Sequence, residues 1–496
     1  MLKKISANML YNYVKCPHRL TLDLFGDYSK KDRISAFVKM LWEKGTDFEN
    51  QVIKDLKVPF LDLSTFSEGE KEKRTREAMQ NGTKLIYSGR ISSDHLIGEP
   101  DLLRKEGNGY ICGDIKSGSG LESENDLSES KLKTHYAVQL ALYTDILERL
   151  GISGGPIPFV WDIHCREIKY DLNSQQSIRN PESWWVKYQN CLKEATQIVN
   201  HDLKTLPAYS ATCKLCHWRT YCFKILKKAD DLTLIPELGR SKRDVLIEYL
   251  SSISELAHAN IYQFQIGQKT IFPRIGINSL KKFKERAVLL STEHSEPYLK
   301  DQINLPKASV ELFFDIETDP LRDICYLHGF LERRNMDDHI ERYVAFFSDQ
   351  PNEQEEKNAF KKAWSFIKQS LPCVIYYYSA YEKIQWKRLQ QKYSDVMTEE
   401  DIESMFNRKH TIDLYHDVVK KKTEWPTNDY SIKTLATYLG FHWRDKNPSG
   451  AESIEWYHQW ARTGKVKIKN RILKYNEDDC IATRVLLDGI RSLHLI

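Results

Sequence analysis

The chain has 496 residues, of which 41% are hydrophobic and 29% are charged, and its formal net charge is +4. This length predicts two or three domains, and the lack of any apolar run of about 18 residues excludes a membrane-spanning helix. Asn8, Asn12 and Lys15 interrupt the apolar core that a signal peptide needs, so we expect a cytoplasmic protein. Ten largely scattered cysteines fit a reducing compartment.

Apolar periodicity in the first part of the chain predicts alternating helices and strands. The predicted elements are helices over 11–24, 36–56 and 134–150 and strands near 85–91 and 102–116. We therefore expect a mixed α/β domain over residues 1–228.

A cysteine cluster brackets this domain. Cys213 and Cys216 are one helical turn apart, Cys222 follows after five intervening residues, and this spacing is typical of metal ligands. Cys16 is the candidate for the fourth ligand, although it lies nearly two hundred residues earlier. The spacing alone fits zinc and an iron–sulfur cluster equally well, and buried thiols without metal remain the third interpretation.

Acidic residues and a lysine between these cysteines form a candidate metal site. Asp101 ends the segment Gly98-Glu99-Pro100-Asp101, and Asp114-Ile115-Lys116 follows thirteen residues later. Two carboxylates on adjacent strands can hold a hard divalent cation. A lysine two positions after an aspartate projects from the same strand face, where it can orient the attacking water or stabilise a pentacovalent phosphate.

The order of these motifs resembles that of the RecB-like PD-(D/E)xK nucleases, because Gln139 and Tyr143 follow on one helix face with that family's spacing. The resemblance implies a restriction-endonuclease-like fold and a structural [4Fe–4S] cluster on the four cysteines. It also implies catalytic roles for Glu49, Asp101, Asp114, Lys116, Gln139 and Tyr143, with Glu49, Asp101 and Asp114 as metal ligands. One departure is Phe48, which stands where the family often has a metal-binding histidine.

Residues 229–300 predict a small helical module and a connector. Two short helices around Pro236-Glu237-Leu238-Gly239-Arg240 resemble a helix-hairpin-helix unit, in which backbone amides approach a phosphate without reading base sequence. A helical spacer whose leucines are simply core fits the same pattern. A charged connector over 281–300 is expected to follow.

The last predicted domain, over residues 301–496, carries a second set of acids. The apolar run 310–314 predicts a central strand, and Asp315 and Glu317 then lie on one face at its end. Near the end of the chain, Tyr475 and Asp479 are four residues apart on a predicted helix, so their side chains share one side.

These motifs resemble the tyrosine subclass of the DEDD 3′–5′ exonucleases, which have an RNase H-like fold. The resemblance implies that four acids bind two magnesium ions and that Tyr475 positions the nucleophilic water. Its third acid is Glu382, in Tyr378-Ser379-Ala380-Tyr381-Glu382, where the family has an aspartate. The implied catalytic residues are Asp315, Glu317, Glu382, Tyr475 and Asp479, and the four acids among them are the implied metal ligands.

Nearly the whole chain, including Asp413 and the stretches 430–436 and 453–457, resembles a bacterial family of RecB-like nucleases with a C-terminal RNase H-like domain. The expected function is a metal-dependent DNA exonuclease of DNA repair, recombination or foreign-DNA processing. It would use Mg²⁺ or Mn²⁺ and act on single-stranded DNA or on free DNA ends. A helicase is a possible partner, and no membrane association is expected. Two alternatives are a nucleic-acid-binding scaffold with one or both sites inactive, and an RNA 3′–5′ exonuclease.

Overall fold

The computed structural model describes residues 4–122, 131–178, 180–306, 308–446 and 448–495. These residues form two compact units. The first contains mainly Val38–Pro207, with the residues up to Ile34 and the segment Ala211–Phe223, and the second contains mainly Lys224–Ile496. None of the helices in the described ranges combines the length and apolar character that crossing a membrane requires.

The first unit is built on a mixed six-stranded sheet and a three-stranded sheet. In spatial order, the strands of the larger sheet are Glu167–Lys169, Phe159–Trp161, Gly109–Ile115, Leu102–Glu106, Leu85–Tyr87 and Leu61–Asp62. The smaller sheet contains Ile5–Ser6, Leu96–Gly98 and Ile91–Ser93. The helices are Ala7–Lys15, Pro17–Phe25, Ala36–Asp55, Glu68–Gln80, Thr134–Arg149, Trp184–Val199 and, at the edge of the unit, Arg219–Lys228. Short antiparallel strand pairs join Leu121–Glu122 with Lys131–Leu132 and Gln175–Ser177 with Asn180–Ser183.

The two faces of the larger sheet bury different sets of side chains. Cys112 belongs to the cluster that packs against helix Thr134–Arg149, whereas Ile111 and Ile115 belong to the cluster on the opposite face. Because side chains alternate along a strand, Asp114 lies on the face of Cys112. The acid is therefore directed towards the helix that carries Gln139 and Tyr143.

Two sequence predictions are wrong in this unit. The single helix expected over 11–24 is two helices, because Cys16 is extended and Pro17 opens the second helix. The strand expected over 102–116 is a hairpin whose two strands, Leu102–Glu106 and Gly109–Ile115, pair in antiparallel fashion. The polar turn between them includes Gly107 at a φ of 56°, a conformation that suits glycine.

The second unit is built on a five-stranded sheet. In spatial order its strands are Asp337–Phe347, Ile324–Arg334, Val310–Asp319, Val374–Tyr377 and Thr411–Asp413. The first three strands are antiparallel and the last two add in parallel. The α-helices are Gly239–Leu246, Ile253–His258, Ile277–Ser291, Glu353–Ser370, Tyr381–Lys392, Glu399–Met405, Lys420–Lys422, Ile432–Tyr438, Gly450–Thr463 and Val466–Arg491, and Leu414–Val419 is a π-helix. Short strand pairs join Gln265–Ile266 with Lys269–Thr270 and Tyr298–Leu299 with Thr423–Glu424.

Side chains alternate between the two faces of the central strand Val310–Asp319, so that one face packs into the core and the other carries the candidate acids. Leu312, Phe314 and Ile316 pack into the cluster that includes helix Glu353–Ser370. Phe313 faces the other way, into the cluster that includes the end of helix Val466–Arg491. Asp315 and Glu317 share the face of Phe313, so they are directed to the same side of the sheet as that long helix.

Two expectations are also wrong in the second unit. The central strand does not end at residue 314 but runs to Asp319, because it continues to pair with Ile324–Arg334 across a register shift at Glu317 and Thr318. The charged connector expected over 281–300 contains most of helix Ile277–Ser291, which buries Arg286. The helix-hairpin-helix interpretation of the preceding residues stays a prediction.

Arg286 forms a buried ion pair with Glu424 in the second unit. Its guanidinium bonds both carboxylate oxygens of Glu424 at 2.8 and 3.3 Å, and Lys300 and Tyr430 contact the same carboxylate at 2.7 and 2.5 Å. Arg286 is fully buried, so it cannot recover these bonds from water.

We expect Glu424→Ala to destabilise the chain by about 3–5 kcal/mol, since it leaves a buried guanidinium without its main partner. Urea unfolding of the full chain measures this as a lower midpoint. The matched control is Glu403→Ala, which removes an exposed ion pair with Lys387 and should cost about 1 kcal/mol or less. Equal midpoints for the two variants would contradict the structural importance of the buried pair.

Candidate active sites

The first candidate site lies where the hairpin of the larger sheet begins and ends. Asp101 directly precedes the strand Leu102–Glu106, and Asp114 is on its partner strand, opposite that position. The amide of Ile115 donates to Oδ2 of Asp101 at 2.7 Å, which fixes that carboxylate beside Asp114. Lys116 Nζ lies 2.9 Å from Oδ2 of Asp114. The structure therefore brings together both aspartates and the lysine that the sequence predicted.

Glu49 is close enough to the two aspartates for its charge to act on Asp101. Burial and the charge of Asp114, with a smaller contribution from Glu49, raise the pKa of Asp101 to about 8 against the opposing charge of Lys116. Glu49 projects from helix Ala36–Asp55 and accepts a 2.9 Å hydrogen bond from the hydroxyl of Tyr87. Three carboxylates from three separate elements thus face one region.

Gln139 and Tyr143 hold the backbone of this site. The amide of Gln139 donates to the Tyr143 hydroxyl at 3.1 Å, and that hydroxyl donates to the carbonyl of Glu99 at 3.3 Å. The Tyr143 ring lies so close to Gly98 that a Cβ on this residue would collide with it. The pair therefore fixes the segment that delivers Asp101.

Phe48 does not face the carboxylates. Its ring packs against the cluster that includes Leu102 and Ile115, on the sheet face opposite Asp114. Its neighbour Glu49 lies about 100° away around the helix and carries the polar group. The residue that departs from the family pattern therefore serves as an apolar anchor for the helix that bears Glu49.

The structure places Cys16 near two of the cysteines at the end of this unit, although the four sulfurs do not form a group within 4.8 Å in the described ranges. Cys16 lies between the first two helices, and Cys222 is in the first turn of helix Arg219–Lys228. Burial raises the pKa of Cys216, and the charges of Cys16 and Cys213 raise it further, so these three thiols are near one another. All four cysteines are partly exposed.

Asp23 links the two chain segments that carry these thiols. Its Oδ1 accepts hydrogen bonds from Nε2 of His217 and Nε1 of Trp218, both at 2.8 Å. Burial alone would raise the pKa of Asp23, but these two bonds lower it to about 2. The carboxylate therefore connects helix Pro17–Phe25 to the residues after Cys216.

The second candidate site contains the tightest group of acids. Asp315, Glu317 and Asp479 each place a carboxylate oxygen within 4.8 Å of the others. Within the described ranges, this is the one group of three or more His, Cys, Asp or Glu residues that meets this distance. Two of the acids come from one strand face and the third from helix Val466–Arg491, as the sequence predicted.

Burial and mutual repulsion strongly affect these carboxylates. Burial raises the pKa of Asp315 well above its usual value, and the charges of Asp479 and Glu317 raise it further. Burial, followed by the charge of Asp479, likewise raises the pKa of Glu317 to about 8. Carboxylates held this closely in a buried place favour either a proton or a bound cation.

Neutral donors orient the three acids. Asn476 donates to Oδ2 of Asp315 at 2.6 Å, and Trp443 Nε1 donates to Oδ1 of Asp479 at 2.8 Å. The hydroxyls of Tyr326 and Ser453 are 2.7 Å apart, and both bond to Glu317. These hydrogen bonds fix the carboxylates without adding positive charge.

Glu382 faces the same region from the first turn of helix Tyr381–Lys392. The residue is only 4% exposed, and its Oε2 atom is buried without a hydrogen-bond partner. Burial raises its pKa well above the usual value, and the charges of Asp413, Asp479 and Glu317 act in the same direction. Glu382 is therefore close enough to interact with the acids, although it lies outside the group that meets the 4.8 Å distance.

Tyr475 and Lys433 complete the arrangement. Lys433 Nζ donates to the Tyr475 hydroxyl at 3.1 Å and lies 4.9 Å from the centre of that ring, while the hydroxyl also bonds Asp479. The sequence placed Lys433 in a stretch that resembles the family, but its contact with Tyr475 spans 42 residues and has no local signature. Trp443 and Asn476 were missed for the same reason.

A cleft of about 250 Å³ opens over this group. Its lining residues are Asp315, Ile316, Glu317, Thr318, Pro320, Tyr381, Gly450, Ile454, Tyr475 and Asp479. The acids are therefore accessible to a ligand in spite of their burial.

Comparison with known families agrees with this arrangement. Residues 21–223 match the family model of the PD-(D/E)XK nuclease superfamily, and residues 312–490 match a model of the RNase_H superfamily. No curated protein matches the chain. The two domains support a metal-dependent nuclease, a phosphodiester hydrolase with nucleic acid as its substrate. The chain thus has the predicted mixed α/β fold, with an N-terminal PD-(D/E)XK nuclease domain and a C-terminal RNase H-like domain.

Proposed function

We propose that this protein is a metal-dependent DNA exonuclease with one active site in each unit. The observation that carries the proposal is the convergence of Asp315, Glu317 and Asp479 within 4.8 Å beneath an open cleft. Oxygen ligands of this kind suit Mg²⁺ or Mn²⁺. A divalent ion bound there would polarise a phosphoryl oxygen and supply a reactive water.

In the first site, Glu49, Asp101 and Asp114 would bind the ion. Burial alone would lower the pKa of Lys116, but Asp114 and Asp101 raise it above its usual value. Lys116 is therefore protonated at neutral pH and stabilises the negative charge that develops on a phosphate under attack. Gln139 and Tyr143 act by holding the segment of Asp101.

In the second site, Asp315, Glu317 and Asp479 would bind one ion, and Glu382 would extend the ligand set towards a second. The Tyr475 hydroxyl donates to Asp479 and accepts from Lys433. Burial raises the pKa of Tyr475 well above 10, so the hydroxyl keeps its proton at neutral pH. A neutral hydroxyl held at the cleft can position a water for attack on a 3′-terminal phosphodiester.

The resemblance to RecB-like nucleases favours DNA repair, recombination or foreign-DNA processing as the setting, with single-stranded DNA or free ends as substrate and a helicase as partner. An RNA 3′–5′ exonuclease is the second candidate, since carboxylate-bound metals cut either polymer. Competition between end-labelled DNA and RNA of the same sequence decides between them. Preferred cleavage of RNA would contradict the DNA assignment.

We further propose that Cys16, Cys213, Cys216 and Cys222 bind a [4Fe–4S] cluster, with Zn²⁺ as the alternative. Two chain segments far apart in sequence meet here, and Asp23 links them through His217 and Trp218. Thiolates suit both iron–sulfur clusters and zinc. The bound group would fasten the start of the domain to its end.

The nuclease proposal predicts two separable activities on end-labelled single-stranded DNA with Mg²⁺ or Mn²⁺. Lys116→Ala should abolish one and Asp315→Ala the other, each by about 100-fold or more, because each removes a charged group from one centre. The double variant should be inactive.

Matched controls are Lys105→Ala and Asp395→Ala, which remove exposed charges from the first and second unit. Both should cleave like the wild type. Intact substrate with either metal in the wild-type reaction would favour the alternative of a binding scaffold. Equal loss in the control variants would remove the assignment of the sites.

The cysteine proposal predicts a brown protein with broad visible absorption, because thiolate-ligated iron absorbs visible light and zinc does not. Cys216→Ala should lose the colour and the bound iron and should lower the melting temperature. Cys165→Ala, at an exposed cysteine of the same unit, should keep all three properties. A colourless wild type that contains zinc would establish the alternative, and a metal-free wild type would contradict both.

A further inference from the structure

Three rings form a continuous edge beside the first candidate site. Tyr11, in the first helix, meets His135 with ring centroids 5.0 Å apart and planes perpendicular. His135 in turn meets Tyr136 at 4.5 Å. All three side chains are partly exposed, so the rings are accessible from solvent.

Three lysines lie around these rings. Lys15 Nζ is 5.6 Å from the centre of the Tyr11 ring, and Lys133 Nζ and Lys116 Nζ are 5.3 and 5.7 Å from the centre of the Tyr136 ring. We call the six residues the aromatic–lysine surface: Tyr11, Lys15, Lys116, Lys133, His135 and Tyr136. Lys116 also contacts Asp114, so the surface adjoins the acids of the first site.

The lysines repel one another. Lys15 is close enough to Lys133 and Arg19 for their positive charges to interact, with Glu122 as the neighbouring acid. Burial lowers the pKa of His135 to about 3, and Lys15, Lys133 and Lys116 act in the same direction. Positive charges are thus held together at a cost in stability. A bound anion would remove that cost.

Packing alone does not account for this arrangement. Tyr136 rests partly on the core of the unit, which explains one ring. If this surface had only a structural role, the lysine ammonium groups would be expected to point away from one another into water. Like charges that lie close together repel each other and do not stabilise the fold. Here the lysines surround partly exposed rings instead. Alternating rings and cations are the combination by which proteins bind single-stranded nucleic acids.

We propose that the aromatic–lysine surface binds a single strand of nucleic acid next to the first active site. Lys15 and Lys133 contact phosphates, and Tyr11 or Tyr136 stacks on a base. Lys116 is shared, so a strand on this surface continues directly to Asp101 and Asp114. This inference rests on the proposed nuclease function and adds the surface that guides the strand to it. Stacking and phosphate contact read neither base identity nor, by themselves, the sugar.

Fluorescence anisotropy of labelled oligo(dT) with the full chain, in EDTA to prevent cleavage, tests the proposal. Lys15→Gln and Lys133→Gln should each weaken binding and reduce the slope of log affinity against log salt by about 0.7, the value for one phosphate contact on a single strand. Tyr136→Leu should weaken binding about tenfold without changing that slope. Lys105→Gln, which removes an exposed charge from the hairpin of the same unit, should bind like the wild type.

Cross-linking separates this surface from any other that binds DNA. Oligo(dT) with one 5-iododeoxyuridine is irradiated with the protein, and the attached peptides are identified by mass spectrometry. Attachment at Tyr11, His135 or Tyr136 supports the proposal. Cross-links confined to other peptides, or wild-type affinity in both lysine variants, would overturn it. The same titration with oligo(U) identifies whether DNA or RNA is the preferred strand.

The outcomes also distinguish this surface from the nuclease function. If Lys15→Gln and Lys133→Gln both bind like the wild type while Lys116→Ala still abolishes the activity of the first site, the surface is wrong and the nuclease function stands. If the lysine variants lose binding but the wild type leaves every substrate intact, the surface stands and the nuclease is wrong.

Discussion

The repulsion between buried carboxylates is the constraint on which the second unit's site depends. Asp315, Glu317 and Asp479 would separate if their backbones could move, since burial deprives each charge of water. They are held because the strand Val310–Asp319 and helix Val466–Arg491 share one apolar cluster around Phe313. Core packing therefore supplies the energy that keeps the acids together. A bound cation recovers part of that energy, which links metal binding to the stability of the fold.

This packing requires glycines at positions where a helix side chain approaches a strand backbone closely. A Cβ on Gly329 would collide with the side-chain amide of Asn476, whose nitrogen orients Asp315 and whose oxygen accepts from Tyr343 at 2.7 Å. The first unit has the same close approach at Gly98, where the Tyr143 ring occupies the space that a Cβ would take. In both units a glycine on a strand leaves room for a helix side chain that carries a polar group, the Tyr143 ring in the first and the Asn476 amide in the second. These tertiary contacts orient carboxylates whose faces are set by the local strand and helix repeats.

Local sequence predicted those parts of the sites that follow a backbone period. Asp315 and Glu317 share a face by the two-residue repeat of a strand, and Tyr475 and Asp479 by the four-residue turn of a helix. Lys433 and Trp443 lie outside such repeats and reach the site only through tertiary contacts. The strand ending expected at residue 314 was wrong because polar residues can continue a strand when a partner strand satisfies the backbone.

The two sites differ in how they balance charge. In the first, one lysine lies directly against the acids, because Lys116 contacts Asp114 at 2.9 Å. In the second, four carboxylates face one another when Glu382 is included. Lys433 bonds the Tyr475 hydroxyl, and its positive charge acts on Asp315, Glu317 and Asp479 from a distance. Lys116 thus balances part of the negative charge in the first site. The second site, with more acids and a more distant lysine, would depend more strongly on a bound cation for charge balance.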